Sequence, residues 1–393
     1  MNPAPPVTSQ VVSTPARSVP FPGEGRGSGL RFAAVAQRFD LEKFLVDVFA
    51  PVAGERAAVL TDVPTPATPD HRAWAERREM AESWRRGLAS LGGKTGFEVL
   101  PLVTYPAAGR SGAPFPPDLD ALFDRVSLVL AFAEFSPTAA LVDVCKRRPG
   151  ADVFRAASMP GIEKRMEETS LSADYAQVAK RCRILRDAFR SADRAEVVFS
   201  TGHRCLFDLR FRVCETDDGY LHRDKDDDLP VINLPSGETF SVPYEGEKPG
   251  TPSRTAGELP VSEDGQTVVF RVEANRIREV VGAGAVGDRY RAFFAADPAR
   301  GNIAELAFGC NDRAAVTGNV LEDEKAGFHW AYGRSDHLGG VVGLKDFASL
   351  DHVVHQDIVY ARGNPITIAS ASLVSADGNR ISVILDGAYR LWE

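Results

Sequence analysis

The sequence predicts an α/β protein in which an N-terminal domain with a parallel sheet is followed by a strand-rich α+β domain. Helix and strand alternate over the first part of the chain, which is typical of parallel sheets with helices on their faces. One long amphipathic helix follows, and short strands dominate beyond it. With 393 residues the chain is too long for one typical core, so two or three are expected.

The first predicted elements follow one another in the order that a parallel sheet requires. They are a helix from Leu41, a strand at 57–62, a helix at 73–91, a strand at 97–103, a short helix at 119–123 and a strand at 127–132. The strand segments are short and almost wholly apolar, as in strands buried on both faces. Parallel neighbours need crossover connections, and the intervening helices provide them.

The long helix is predicted from apolar residues that recur at steps of four and three between Leu171 and Phe189. Strands are expected after it, at 196–200, 205–213, 267–272 and 380–385, separated by residues typical of hairpins. We therefore expect an N-terminal α/β domain over 30–160 and a C-terminal domain over 161–393. Residues 1–29 are rich in proline and glycine and are predicted to be a disordered leader.

Composition argues against several classes of protein. The chain has 46 basic and 54 acidic residues and a net charge of -8, so it offers no field for holding nucleic acid. No run of apolar residues is long enough to span a membrane. The N-terminus lacks the pattern of a secretory signal, so a cytoplasmic location is expected. Five cysteines without a CxxC spacing indicate buried thiols and not a disulfide framework.

One glycine motif is expected to carry no cofactor. The segment 282–287, Gly-Ala-Gly-Ala-Val-Gly, matches the dinucleotide-binding pattern GxGxxG. That fingerprint works only in the first βαβ crossover of a parallel sheet, whereas this segment lies in strand-dense sequence. We therefore predict no bound dinucleotide.

Histidines and carboxylates are concentrated in the second half of the chain. Four of the seven histidines lie between residues 329 and 355. His355 and Asp357 are two apart in a predicted strand, so their side chains point to the same face. Glu324 and His329 need a bend between them, which Gly327 is expected to supply. The acidic and imidazole side chains of this set are Glu238, Glu305, Glu324, His329, Asp351, His352, His355 and Asp357.

Such a set predicts a metal site. Imidazole and carboxylate without thiolate suit zinc, cobalt, manganese or iron(II), and several carboxylates together are able to hold two ions. The domain over 161–393 is thus predicted to bind metal.

Four segments resemble the thermophilic aminopeptidase family, the two-metal exopeptidases of the aminopeptidase T and aminopeptidase S type. They are Asn233-Leu-Pro-Ser-Gly-Glu238, Asn302-Ile-Ala-Glu305, Glu324-Lys-Ala-Gly-Phe-His329 and His355-Gln-Asp357. The resemblance implies two divalent ions, zinc, cobalt or manganese, a peptide or small amide substrate and a homodimer. It also implies that Glu305 bridges the ions and that the ligands are Glu238, Glu305, Glu324, His329, His355 and Asp357.

The chain departs from this family at one catalytic position. The family has a tyrosine seven residues after the histidine that matches His329, and here that position is Asp336. An aspartate does not offer the neutral donor that a developing oxyanion requires. The neighbouring His337 is a possible replacement, so Glu305, Asp336 and His337 are the candidate catalytic residues.

Three functions remain open on this sequence. The first is a metal-dependent hydrolase of peptide or amide bonds. The second is a ring-opening dioxygenase, because the enzyme that opens dihydroxypyridine rings has a similar fold and uses one iron(II), for which His329, His355 and Asp357 would be the ligands. The third is a peptide-binding relative without hydrolysis, for example in maturation of a peptide natural product.

Overall fold

The computed structural model describes residues 39–148, 154–224 and 230–392, so the predicted leader at 1–29 lies outside the described residues. Among these residues no helix is both long and apolar enough to cross a membrane. The α-helices are α1 (Leu41–Phe49), α2 (Arg72–Thr95), α3 (Asp120–Phe123), α4 (Thr138–Arg147), α5 (Tyr175–Arg190), α6 (Ala285–Ala296) and α7 (Val320–Asp323).

The strands alternate with the helices at first and then follow one another directly. They are β1 (Arg56–Val63), β2 (Glu98–Val99), β3 (Val103–Pro106), β4 (Leu128–Ala133), β5 (Arg155–Pro160), β6 (Arg194–Phe199), β7 (Arg204–Asp208), β8 (Glu215–Asp217), β9 (Val231–Asn233), β10 (Glu238–Ser241), β11 (Ala256–Glu263), β12 (Gln266–Glu273), β13 (Arg276–Val281), β14 (Ile303–Gly309), β15 (Phe328–Gly333), β16 (His355–Tyr360), β17 (Ile368–Val374), β18 (Arg380–Leu385) and β19 (Ala388–Tyr389).

The predicted parallel sheet is confirmed. Its order is β2-β1-β4-β5-β9, with β3 also paired to β1, and every pairing in it is parallel. The apolar run of β4 is buried throughout, which explains its lack of polar alternation. Helices α1 and α2 cover one face, and α3 and α4 cover the other. The edge strand β9 comes from the chain beyond α5, so this sheet is completed by a segment of the second half.

The strand expected at 97–103 is divided into two short strands along one edge of β1. β2 pairs with the beginning of β1, and β3 pairs with its end. Pro101 lies between them, and a proline has no N–H to donate to a sheet. The segment therefore loses its ladder at that point and resumes it two residues later.

Two antiparallel sheets form the rest of the fold. One has five strands in the order β16-β15-β14-β10-β8, and the other has eight in the order β13-β12-β11-β7-β6-β17-β18-β19. They share one hydrophobic core, to which Phe270, Phe308 and Trp330 contribute fully buried rings. The long helix α5 packs on the same core, but it begins at Tyr175 because Asp174 caps it. Leu171 lies in the 3-10 turn before the cap.

The GxGxxG segment has the environment that the sequence predicted. It follows β13, which pairs antiparallel with β12, and it leads into α6. A dinucleotide fingerprint needs a parallel crossover at this point. The motif is therefore a turn between a hairpin strand and a helix.

Candidate metal centre

The candidate ligands come together because one face of the five-stranded sheet carries almost all of them. Residues that are directly opposite in an antiparallel pair share a face, as do residues two apart on one strand. Glu305 lies opposite Ala331, and Ala331 lies opposite Asp357, so these three share a face. His329 and His355 are each two residues from a member of that row and therefore join it. Asp217 and Glu238, which are opposite each other, extend the same face across β8 and β10.

The ligand atoms form two groups that lie side by side. Glu238, Glu324 and His329 form the first group, and Glu305, His355 and Asp357 form the second. Within each group the atoms that would bind an ion lie within 4.8 Å of one another. Each group thus offers one imidazole and two carboxylates to a single cation, a ligand set suited to a divalent metal.

Glu305 faces both groups. Its Oε2 lies 3.1 Å from His355 Nε2, and its Oε1 lies 3.8 Å from His329 Nε2. The side chain is nearly fully buried on β14, which lies between β15, the strand of His329, and β10, the strand of Glu238. One carboxylate is therefore placed with one oxygen toward each group.

Backbone carbonyls orient both imidazoles toward the centre. His355 Nδ1 lies 2.7 Å from the carbonyl oxygen of Arg334, and His329 Nδ1 lies 3.3 Å from that of Gly327. A carbonyl oxygen only accepts, so Nδ1 carries the hydrogen in each ring. The lone pair of a neutral ring is then on Nε2, which faces the carboxylates, as in histidines that bind metals.

Glu324 reaches the centre by a different route from the one predicted. Gly327 does not supply the bend, because its φ of -179° is that of extended backbone. The chain turns instead in the 3-10 helix Glu324–Ala326, which precedes β15. Gly327 is needed for close packing, since a Cβ there would lie 3.0 Å from the carbonyl oxygen of Tyr360 and from the Cβ of Ala361.

Lys325 is part of the centre, and the sequence prediction missed it. Its side chain is fully buried, and its Nζ lies 2.5 Å from Glu238 Oε1, 2.7 Å from Glu324 Oε1 and 3.2 Å from Asp217 Oδ2. A lysine is almost never fully buried unless it is paired. The only signal in the sequence was its place directly after Glu324, within a segment that leads into an apolar strand.

The centre contains more negative than positive fixed charge. Five largely buried carboxylates surround it with Asp217 included, against one ammonium, which leaves four negative charges in excess when all five are ionised and both imidazoles are neutral. Burial and neighbouring carboxylates raise the pKa of Glu324 to about 8 and also raise that of Asp357. Glu238 Oε2 is buried and has His329 Nε2 at 3.3 Å as its facing group. Two divalent cations would balance this charge, so the donors fit such ions.

The imidazoles and Glu305 show the complementary effect. Burial opposes ionisation of Glu305, but hydrogen bonds and charge from His329 and His355 outweigh it and lower the pKa of the carboxyl group. Burial likewise disfavours the charged form of His355, yet Glu305 and Asp357 raise its pKa to about 9. The carboxylates thus favour positive charge at the imidazoles, where a metal ion would compete with the proton.

Asp336 and His337 lie beside the centre, in neither group of ligands. Asp336, which stands where the aminopeptidase family has a tyrosine, accepts a hydrogen bond from Arg334 Nε. Its negative charge is therefore paired with a guanidinium. The His337 ring lies 5.0 Å from the His355 ring and nearly perpendicular to it. Burial lowers the pKa of His337, which favours its neutral form.

Two further candidates from the sequence lie outside both groups. His352 Nδ1 pairs with Asp297 Oδ2 at 3.1 Å, on the loop before β16. Asp351 is exposed in the same loop. Neither side chain is among the atoms that would surround an ion.

Comparisons with known proteins show the fold and leave the family open. No family model matches the chain, and no curated protein matches it by sequence. The 2,5-dihydroxypyridine dioxygenase of Pseudomonas putida KT2440 is similar in structure, with a TM-score of 0.60 and 16% identity over 92% of this chain and 98% of that one. AmpT from Thermus thermophilus, an aminopeptidase, is also similar, with a TM-score of 0.55 and 15% identity over 89% of this chain and 98% of that one. These values show a shared fold at a distant relationship.

Proposed function

We propose that the protein is a metal-dependent hydrolase of peptide or amide bonds that acts with two divalent ions, zinc, cobalt or manganese. The observation that carries the proposal is the pair of adjacent imidazole and carboxylate groups with Glu305 facing both. A single ion needs neither the second group nor a shared carboxylate. The similarity to an aminopeptidase agrees with this class of reaction.

Each residue then has a defined task. Glu238, Glu324 and His329 would hold one ion, and Glu305, His355 and Asp357 would hold the other. Bound ions of this kind lower the pKa of a water molecule and polarise a substrate carbonyl. A carboxylate of the centre accepts the water proton, as general bases do.

His337 takes the place of the missing tyrosine in this proposal. Its ring is about one-third exposed beside His355, and burial of the rest favours the neutral form. A neutral imidazole keeps one N–H, which is able to donate to the developing oxyanion. Asp336 is already engaged by Arg334 and would hold that loop in position.

The direct test is hydrolysis by the metal-loaded full-length protein and its Glu305→Gln variant. We expect release of 4-nitroaniline from aminoacyl 4-nitroanilides, lost on chelation and restored by zinc, cobalt or manganese. The Glu305→Gln variant is expected to lose about 100-fold or more in kcat/KM. Glu279→Gln, on the exposed face of β13, is the matched control. Full activity of Glu305→Gln would contradict the proposal.

A mononuclear iron dioxygenase is the second candidate, because the dioxygenase named above has the higher TM-score. The centre contains the required ligand types in His329, His355 and Asp357. Against it, His329 groups with Glu238 and Glu324 and not with the other two. Oxygen uptake that depends on ferrous iron and a dihydroxypyridine would favour this candidate. A peptide that binds tightly and remains uncut would favour the third function, a peptide-binding protein.

A further inference from the structure

Arg334 lies at the edge of the candidate metal centre. It directly follows β15, and its carbonyl oxygen accepts the hydrogen bond from His355 Nδ1. Its side-chain Nε donates to Asp336 Oδ1. Within the described ranges of the chain, neither terminal nitrogen of this guanidinium forms a hydrogen bond, and the side chain is about one-quarter exposed. The two terminal nitrogens are therefore available to a ligand.

Asp336 fixes the direction of this guanidinium. Asp336 accepts a hydrogen bond from Nε alone, so the edge of the guanidinium that carries the two terminal nitrogens faces away from this contact. The other carboxylate oxygen, Oδ2, lies against Gly343, where an added Cβ would be only 2.4 Å from it. A guanidinium held in this way loses little conformational freedom on binding an anion. Its planar pair of donors matches the two oxygens of a carboxylate.

A chain of contacts links the Arg334 side chain to the candidate metal centre. The His337 ring lies 5.0 Å from His355, and its Nδ1 lies 3.8 Å from the aspartate oxygen that Arg334 also contacts. His337 is thus near both the aspartate that binds Arg334 and the ring of His355. Since His337 is the proposed oxyanion donor, a side chain that adjoins it would meet the part of a substrate about one residue from the scissile bond, at roughly 3.5 Å per residue.

We propose that Arg334 is a specificity-determining residue that binds a free carboxylate on the leaving-group side of the substrate. The preferred substrates are then dipeptides or N-acyl amino acids, in preference to longer or amidated peptides. Water attacks the carbonyl carbon, the C–N bond breaks, and the nitrogen leaves as an amine that gains a proton. This inference rests on the proposed hydrolase function, which supplies that reaction.

The test compares one dipeptide, Leu-Ala, with its C-terminal amide, using the metal-loaded full-length protein. A charge-assisted hydrogen bond predicts a kcat/KM about 10- to 100-fold higher for the acid, mainly through KM. In Arg334→Met the ratio of acid to amide is expected to fall to about one, because kcat/KM for the acid drops. Arg334→Lys should restore part of the preference. Arg190→Gln, an exposed arginine on α5, is the control and should keep the wild-type ratio.

Calorimetry with the same two compounds and metal-free protein gives an independent readout. The wild-type protein should bind the acid more tightly than the amide, and Arg334→Met should lose the difference. Equal hydrolysis of acid and amide by the wild-type protein would overturn the inference and leave the hydrolase function intact. No hydrolysis of either compound by protein with two bound ions would instead overturn the hydrolase function, and calorimetry would then decide on Arg334.

Discussion

Replacing Lys325 with methionine tests the electrostatic description of the centre. The substitution keeps a side chain of similar length and removes an ammonium group that is fully buried among Glu238, Glu324 and Asp217. Removing one partner of a buried charge network costs about 3–5 kcal/mol, because the remaining charges lose their compensation. Total stability is about 5–15 kcal/mol, so the variant should still fold.

Urea unfolding in the presence of EDTA measures this cost. With a slope of about 1–3 kcal/mol per molar urea, a loss of about 3–5 kcal/mol should lower the midpoint by roughly 1–5 M in Lys325→Met. Saturating divalent metal should recover part of the loss, because bound cations supply positive charge to the same carboxylates. The stabilisation by metal should therefore be larger in the variant than in the wild-type protein.

A double variant provides the internal comparison. Asp217→Asn with Lys325→Met removes a buried acid together with the buried base, so it should be more stable than Lys325→Met alone. Arg190→Gln, whose ion pair with Asp187 is exposed, should change stability by less than about 1 kcal/mol. A midpoint for Lys325→Met within error of the wild-type value would refute the claim that this ammonium balances the centre.

Two further changes test local features. Gly327→Ala should lower the affinity for one of the two metal equivalents, as measured by calorimetry. The added Cβ would lie 3.0 Å from Tyr360 O and Ala361 Cβ, so it should displace the neighbouring ligands Glu324 and His329. Unchanged binding of both equivalents would show that the close approach is unimportant. Asp174→Ala should destabilise the protein by about 0.5–2 kcal/mol, because Asp174 accepts hydrogen bonds from the first N–H groups of α5, and an unchanged melting temperature would contradict this role.

Local pattern predicted the elements of the parallel sheet, because strands such as β4 consist of apolar residues over their whole length. It also predicted that His355 and Asp357 share a face, since that depends only on the two-residue repeat of a strand. The register that places Glu305 opposite Ala331 depends on pairing between distant segments, which no local pattern encodes. For the same reason the sequence did not show that β9 completes the parallel sheet.

The role of Lys325 was hidden for a different reason. In sequence a lysine next to a glutamate is typical of an exposed turn, and only the surrounding strands make it buried. Asp217 was missed in the same way, because its significance comes from lying opposite Glu238 across two strands. The bend assigned to Gly327 shows the reverse error, since the glycine is required by a neighbouring strand and not by its own backbone angles.

Anomalous diffraction from crystals grown with zinc or cobalt tests the two-ion centre most directly. A two-ion centre predicts two peaks roughly 3.5–4 Å apart, one on each side of Glu305. The first peak should lie among Glu238, Glu324 and His329, and the second among Glu305, His355 and Asp357. A single peak shared by His329, His355 and Asp357, or no peak at these side chains, would contradict it.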